Sequence, residues 1–366
     1  MAAHCPNCRF ERLQAAEFHG ESVDLCGRCG GMWFDDGELD RSLSSADNGH
    51  DKVKLESSLG DFIGYDRRAC PKCRSKLGRF YLLNGLEMEV QRCLDCSGTW
   101  VEQEARAVVV DTPNAAEFLQ QLQGKLGIGA WLFQFLLKLP LETNLKPKGR
   151  PWVTWALIVL NVFMFACYQL QVDWLAPYQA ELPLTPALLM QGEQPWSLLT
   201  YMFLHGGYLH IIGNMYFLYI IGDNLEDVLG RTRYLLLYLL CGMVAAFAQV
   251  AADPSSTTPI IGASGAIAGL FGMYMLWFRN AKLSFMLLIV QLRLPVQWYF
   301  IIWLGMNVWG LMQAGVGVAY WAHIGGFVAG LVVGWRYRAS VFANNPMVAL
   351  LHQGTLRWRR DARQSK

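Results

Sequence analysis

Beyond Pro151 the sequence passes through six apolar stretches, at about 152–172, 207–228, 232–252, 261–279, 296–313 and 319–336. Nothing else in the chain restricts its fold as much. Each stretch is close to the ~20 residues that carry a helix across a hydrocarbon core, and about twice what a spanning strand needs. Inside lipid every backbone N–H and C=O must be bonded within the protein, so such stretches are expected to be helices. Overall the 366 residues are 53% hydrophobic and 16% charged, with a mean hydropathy of +0.22. That is greasier than an average soluble chain, and the average conceals a polar first part and a membrane-like second part.

Charge orients the spans. The connections 173–206, 253–260 and 314–318 hold no Lys or Arg, whereas the opposite flanks hold Lys146, Lys148, Arg150, Arg231, Arg233, Arg279, Lys282, Arg293, Arg336 and Arg338. Basic residues collect on the cytoplasmic side, so both termini are expected in the cytoplasm. A seventh span at 283–294 would upset this count, so that segment reads as an interfacial or hairpin connection. The stretch 127–142 is apolar but interrupted by Lys138 and Pro140, and reads as an interfacial helix along the bilayer surface.

The polar first part is organised by cysteine. Of ten cysteines, eight form four Cys-x-x-Cys pairs: Cys5 and Cys8, Cys26 and Cys29, Cys70 and Cys73, Cys93 and Cys96. Trp33 follows Cys29 by four residues and Trp100 follows Cys96 by four, which marks an internal repeat. "MAAHCPNCRFERLQ" has no apolar signal-peptide core, so these thiols are expected in a reducing compartment, where clustered cysteines bind metal more often than they form disulfides. Four thiolates from two turns suit a closed, structural Zn²⁺ site with no place for catalytic water. Two such Zn²⁺ sites are expected, each with a short β-hairpin in the gap of 17 or 19 residues between its turns. Cys167 and Cys241 stand alone in apolar runs and read as packing residues.

These features divide the chain into a ribbon at 1–41, a linker at 42–69, a second ribbon at 70–104, a linker with the interfacial helix at 105–150, a six-helix domain at 151–340 and a basic tail at 341–366. The fold class expected is an all-α polytopic membrane domain preceded by two small β-rich zinc ribbons. Residues 1–41 hold four Lys or Arg against eight Asp or Glu. A phosphate-binding surface needs the opposite sign, so no nucleic acid is expected and a cytoplasmic protein partner is.

Polar residues inside spans are costly and point to function. Ser264, in "IIGASGAIAGLFG", is on its own a residue for close helix packing. Its span and that of His323 both start at the outer face, and each residue is expected about one turn in. Gly265, Gly269 and Gly272 form a small-residue stripe beside Ser264, and His323 shares a face with Gly326, Gly330 and Gly334. Matched depth and matched small faces favour a serine–histidine hydrogen bond across helices. His210 and Asn214, four apart in "HGGYLHIIGNM", lie at the same depth and suit stabilisation of an oxyanion. No carboxylate is near in sequence, so a Ser–His dyad is the simpler arrangement.

The motifs "HGGYLHIIGNM", "GASG" and "AHIGGFVAG" resemble those of the rhomboid intramembrane serine proteases over about 150–340. The resemblance implies Ser264 as nucleophile, His323 as general base, and His210, Asn214 and the Ser264 N–H as the oxyanion site, with no cofactor for catalysis. It also matches Glu226 to a structural carboxylate and 173–206 to a membrane-embedded loop. It implies membrane-spanning protein substrates in a cell membrane of bacterial type. Two positions depart from the family: Trp196-Ser197 stands where Trp-Arg is frequent, and Ala268 where some members place a tyrosine against the base. The first cysteine set resembles the transcription-factor-IIB-type zinc ribbon. An inactive rhomboid-like binding or quality-control factor is the alternative expectation.

Overall fold

The computed structural model describes residues 3–18, 20–45, 59, 61–81, 88–103, 105–106, 128–137, 140–142, 149–287, 290–313 and 317–353. Lys138, Lys146 and Lys148, half of the expected linker 42–69, most of that at 105–150, and the tail beyond 353 lie outside the described residues. The chain forms two units, residues 1–121 with 349–366, and residues 122–348.

The first unit is built on the cysteine turns. Strands β1 (Gln14–Phe18) and β2 (Glu21–Leu25) form the hairpin between the first two turns, followed by β3 (Met32–Phe34) and helix α1 (Glu38–Ser45). The second copy contributes β4 (Phe62–Ala69), β5 (Lys76–Tyr81), β6 (Glu89–Cys93) and β7 (Thr99–Val101). The residue after the second cysteine of each turn has a left-handed backbone: Arg9 (φ 55°), Gly30 (φ 68°), Arg74 (φ 67°) and Ser97 (φ 59°). That conformation costs an L-residue roughly 1–2 kcal/mol, and its fourfold recurrence shows one turn geometry used four times.

The two copies share one sheet. Its strand order is β1-β2-β3-β7-β6-β5-β4, with β3 antiparallel to β7. The stretch 42–69, expected as a linker, therefore supplies an outer strand through Phe62–Ala69, and the two ribbons form one body. The junction is dry: every residue of β3 and β7 is buried. Gly31 lies against the Trp100 ring and Gly98 against the Trp33 ring, so closely that a Cβ at either would overlap the indole.

In the second unit each expected span contains a helix. These are α3 (Trp152–Gln169), α4 (Tyr208–Leu229), α5 (Arg231–Ala252), α6 (Ser264–Trp277), α7 (Val296–Met312) and α8 (Tyr320–Asn344), preceded by α2 (Ile128–Leu137). Among the described residues, only α3 and α5 are long and apolar enough to cross a membrane on those criteria alone. Helix α6 has 14 residues, about 21 Å at 1.5 Å per residue, and α4 carries Asp223, Glu226 and Asp227.

The unit is not all-helical. Strand β9 (Lys282–Leu287) pairs antiparallel with β10 (Val290–Pro295), and β8 (Leu141–Glu142) adds a third strand. Of the two forms expected for 283–294, the hairpin is the one adopted. Helix α2 exposes Leu132, Phe135 and Leu136, but its buried Gln134 donates to the Ser284 carbonyl at 2.6 Å. A buried polar side chain needs such a partner, and this one ties α2 to β9.

Glu226 joins the ends of two helices. Its carboxylate accepts from Val153 N (3.0 Å), Thr154 N (2.8 Å) and Thr154 Oγ1 (2.9 Å). The first N–H groups of a helix lack internal partners and favour negative charge, so Glu226 caps α3 from the far end of α4.

Candidate active site and metal centres

Helix α6 begins at Ser264 itself, not one turn earlier as the sequence suggests. Ile260-Ile261-Gly262 is non-helical because it is bonded elsewhere. Ile260 and Leu184 exchange backbone hydrogen bonds (2.8 and 3.1 Å), and Gly262 N donates to the Tyr201 carbonyl (2.9 Å). Gly262 has φ +126°, a conformation suited to glycine. The long segment 173–206 thus grips the residues leading into Ser264. Ser264 stands at the first position of its helix, beside unpaired N–H groups and the positive end of the dipole.

His323 lies one turn into α8. Its Nε2 is 2.7 Å from Ser264 Oγ. The approach depends on the glycines of both helices, because a Cβ on Gly326 would overlap the Gly265 carbonyl and one on Gly330 the Gly269 carbonyl. The opposite ring nitrogen, Nδ1, is 2.7 Å from Asn307 Oδ1 on α7. The Trp303 ring, also on α7, lies 5.7 Å from the imidazole at 35°. Trp303 flanks the imidazole although Ala268 gives it no neighbouring ring. Asn307 and Trp303 escaped the sequence reading. The signal present was an asparagine inside an apolar helix, four residues after a tryptophan on the same face.

His210 approaches from α4. A Cβ on Gly262 would lie 2.8 Å from His210 Nε2 and 3.7 Å from Ser264 Oγ, so the imidazole and the serine flank the same glycine. Gly206 N–H points to His210 Nδ1 at 3.4 Å, a long bond that leaves the proton on Nε2. Asn214 Nδ2 donates to the His210 carbonyl at 2.8 Å, leaving its second amide hydrogen free of that bond. The sequence-predicted polar residues therefore fall into a bonded pair, Ser264 and His323, with His210 beside them and Asn214 one turn along α4.

The cysteines form two clusters, Cys5, Cys8, Cys26, Cys29 and Cys70, Cys73, Cys93, Cys96, with sulfurs all within 4.8 Å of one another in each. All eight are free thiols. A tetrahedron with Zn–S of about 2.3 Å has S···S edges of about 3.8 Å. The sulfur pairs Cys5–Cys29 (3.6 Å), Cys8–Cys26 (3.9 Å), Cys70–Cys96 (3.5 Å) and Cys73–Cys93 (3.3 Å) fit that size. Cys8 N–H donates to Cys5 Sγ at 3.2 Å, and Cys73 N–H to Cys70 Sγ at 3.4 Å, contacts that favour the thiolate form of each sulfur. Burial pushes the Cys5 and Cys70 thiols up, whereas the Ser75 hydroxyl and N–H draw Cys73 down to about 6. The donor sets suit structural zinc.

Comparison with known proteins adds the family. Residues 192–340 match the model of the rhomboid domain, and residues 4–45 match a transcription factor zinc-finger of the TFIIB type. The chain is similar to RHOMBOID-like protein 5 of Arabidopsis thaliana, 33% identical over 155 residues, 40% of this chain and 45% of that one. It is also similar to rhomboid protease GluP of Bacillus subtilis, 32% identical over 136 residues, 36% of this chain and 25% of that one. With Rhomboid-related protein 2 of Mus musculus it shares 29% identity over 193 residues, 49% of this chain and 61% of that protein. The chain thus spans less than two thirds of each of these relatives. The short helix opening on Ser264 and the glycine-lined face of α8 both lie in the matched segment, and the chain carries a rhomboid domain behind a TFIIB-type zinc ribbon.

Proposed function

We propose that this chain is an intramembrane serine endopeptidase that cuts membrane-spanning proteins in or near their transmembrane helices. The observation that carries the reading is the 2.7 Å separation of His323 Nε2 and Ser264 Oγ, on two helices that glycine faces bring together. In this reading α3 to α8 are six spans, both termini are cytoplasmic by the ten-to-none distribution of basic residues, and the site opens toward the outer face. The membrane is of the bacterial inner type.

The geometry supports the following chemistry. His323 takes the Ser264 proton as the oxygen attacks a peptide carbonyl, then returns it to the leaving amine. The developing oxyanion is held by His210 Nε2–H, an Asn214 amide hydrogen and the Ser264 N–H at the start of α6. An intact substrate helix shields its carbonyls, so helix-breaking residues near the cut favour reaction. No metal or nucleotide takes part. The four-cysteine clusters, one zinc each, hold the cytoplasmic ribbons as docking or regulatory modules for a protein partner, with no role for nucleic acid.

The test is labelling by a fluorophosphonate probe in liposomes, together with cleavage of a single-span reporter. The wild type should label and cleave, and Ser264→Ala should do neither. An unlabelled, inactive wild type of intact fold would instead support the binding or quality-control role, which the "-like" names of some relatives keep open.

A further inference from the structure

Asn307 is 7% exposed, the one amide side chain of α7 beyond its first turn, and both ends of that amide are engaged. Nδ2 donates to the Trp303 carbonyl at 2.8 Å, and Oδ1 lies 2.7 Å from His323 Nδ1. The carbonyl fixes which way the amide faces. Turned over, Oδ1 would meet the Trp303 oxygen, acceptor against acceptor, and Nδ2 would meet the imidazole. With Oδ1 toward the ring, only a protonated Nδ1 makes a bond. A neutral imidazole with its proton on Nδ1 has a free lone pair on Nε2, the atom 2.7 Å from Ser264 Oγ. The other tautomer would place an N–H there, unable to accept the serine proton.

We propose that Asn307 is the positioning residue of the site: it selects the imidazole tautomer and ring orientation in which His323 can act as base. The functional unit is then Ser264–His323–Asn307, a relay with a neutral third member in place of the two-residue arrangement expected from the sequence. The Trp303 ring beside the imidazole limits the same rotation from a second direction. An amide, unlike a carboxylate, places no second charge in the apolar interior, where a charged group is costly. The inference deepens the protease reading and rests on it for its catalytic meaning. The tautomer itself does not depend on activity.

The experiment combines kinetics with nitrogen NMR on the full chain in liposomes. Asn307→Leu keeps the volume and removes the acceptor, while Asn307→Asp keeps an acceptor at the same distance. Leucine should lower kcat roughly 10²-fold, the low end for loss of a working general base, with KM within about twofold of wild type. Aspartate should recover most of that loss. Leucine at full kcat, or aspartate as impaired as leucine in a folded protein, would overturn the proposal. The ¹⁵N resonances of the His323 ring, assigned by loss in His323→Ala, should show the proton on Nδ1 in the wild type and a shift toward Nε2 in Asn307→Leu. A wild-type ring protonated on Nε2 refutes the proposal even if Asn307→Leu does not fold. Should the wild type neither label nor cleave, the protease reading fails by itself, and the NMR result still decides the role of Asn307.

Discussion

Trp33 on β3 and Trp100 on β7 are direct register partners across the junction of the two cysteine repeats. Each indole lies against the glycine that precedes the other repeat's strand, Trp100 on Gly31 and Trp33 on Gly98. Lys72, from the second repeat, also bridges Asp24 and Asp35 of the first, at 3.2 Å each. The repeats therefore share a core, so a metal held by one is expected to stabilise the other. Cys93→Ser should reduce metal content by more than one equivalent per chain and speed amide exchange along β3 at least roughly tenfold, because small metal-bound units derive their folding energy from the metal. Metal analysis and hydrogen exchange check this, and loss of a single equivalent with β3 still protected would show independent ribbons. Gly98→Ala should cost about 1–3 kcal/mol by overpacking.

The glycines between α6 and α8 set the Ser264–His323 distance. A methyl at Gly326 would overlap the Gly265 carbonyl, so Gly326→Ala should push the helices apart and break the 2.7 Å bond. A displacement of about 1 Å can lower a rate about 10²-fold, and probe labelling of Ser264 should fall with cleavage. The control is Gly305→Ala on α7, where an added methyl meets nothing within 4 Å. That variant should keep wild-type activity, and equal damage by both substitutions would count against the interface argument.

The pairing of Ser264 with His323 was legible because polar residues are rare in apolar helices and their neighbours were small. Asn307 is equally rare, but a third member of such an array is ordinarily a carboxylate, and an amide in that place has no spacing that announces it. Helix α6 starts three residues later than the apolar stretch, because hydropathy does not register that Ile260 and Gly262 are bonded to the preceding loop. Strands β3 and β7 have three residues each, too few to show a period, and their pairing is a tertiary event between copies. β4 lay in a polar stretch and pairs only once the second repeat folds. The cysteine spacing, by contrast, is a local geometric requirement, and both clusters form as the sequence implies.

His210 and Asn214 should matter to the transition state more than to binding. Asn214 keeps one amide hydrogen on the His210 carbonyl at 2.8 Å, which aims the other without a conformational change. Asn214→Ala should lower kcat about 10²–10³-fold, as for loss of one oxyanion donor, with KM little altered. Steady-state kinetics on the single-span reporter separate the two constants. A raised KM at unchanged kcat would reassign Asn214 to substrate binding.

Glu142 introduces a pH dependence remote from Ser264. It lies on β8, where its carboxyl group accepts from the Tyr274 hydroxyl and from Asn224 Nδ2, the latter at 2.9 Å. Burial, with Asp223 adding to it, pushes this carboxyl well above the usual carboxylate range. The folded protein then binds a proton that the unfolded chain, with a pKa near ~4.3, has already released. Stability from this group is complete below the unfolded value and is lost as pH rises toward the folded one. Thermal unfolding in detergent between pH 5 and pH 8 should show a falling midpoint for the wild type. Glu142→Gln, which keeps the neutral shape, should flatten that fall and leave the low-pH midpoint nearly unchanged. Identical slopes for the two proteins would mean that Glu142 is ionised throughout and that β8 is held by its backbone pairing to β9 alone.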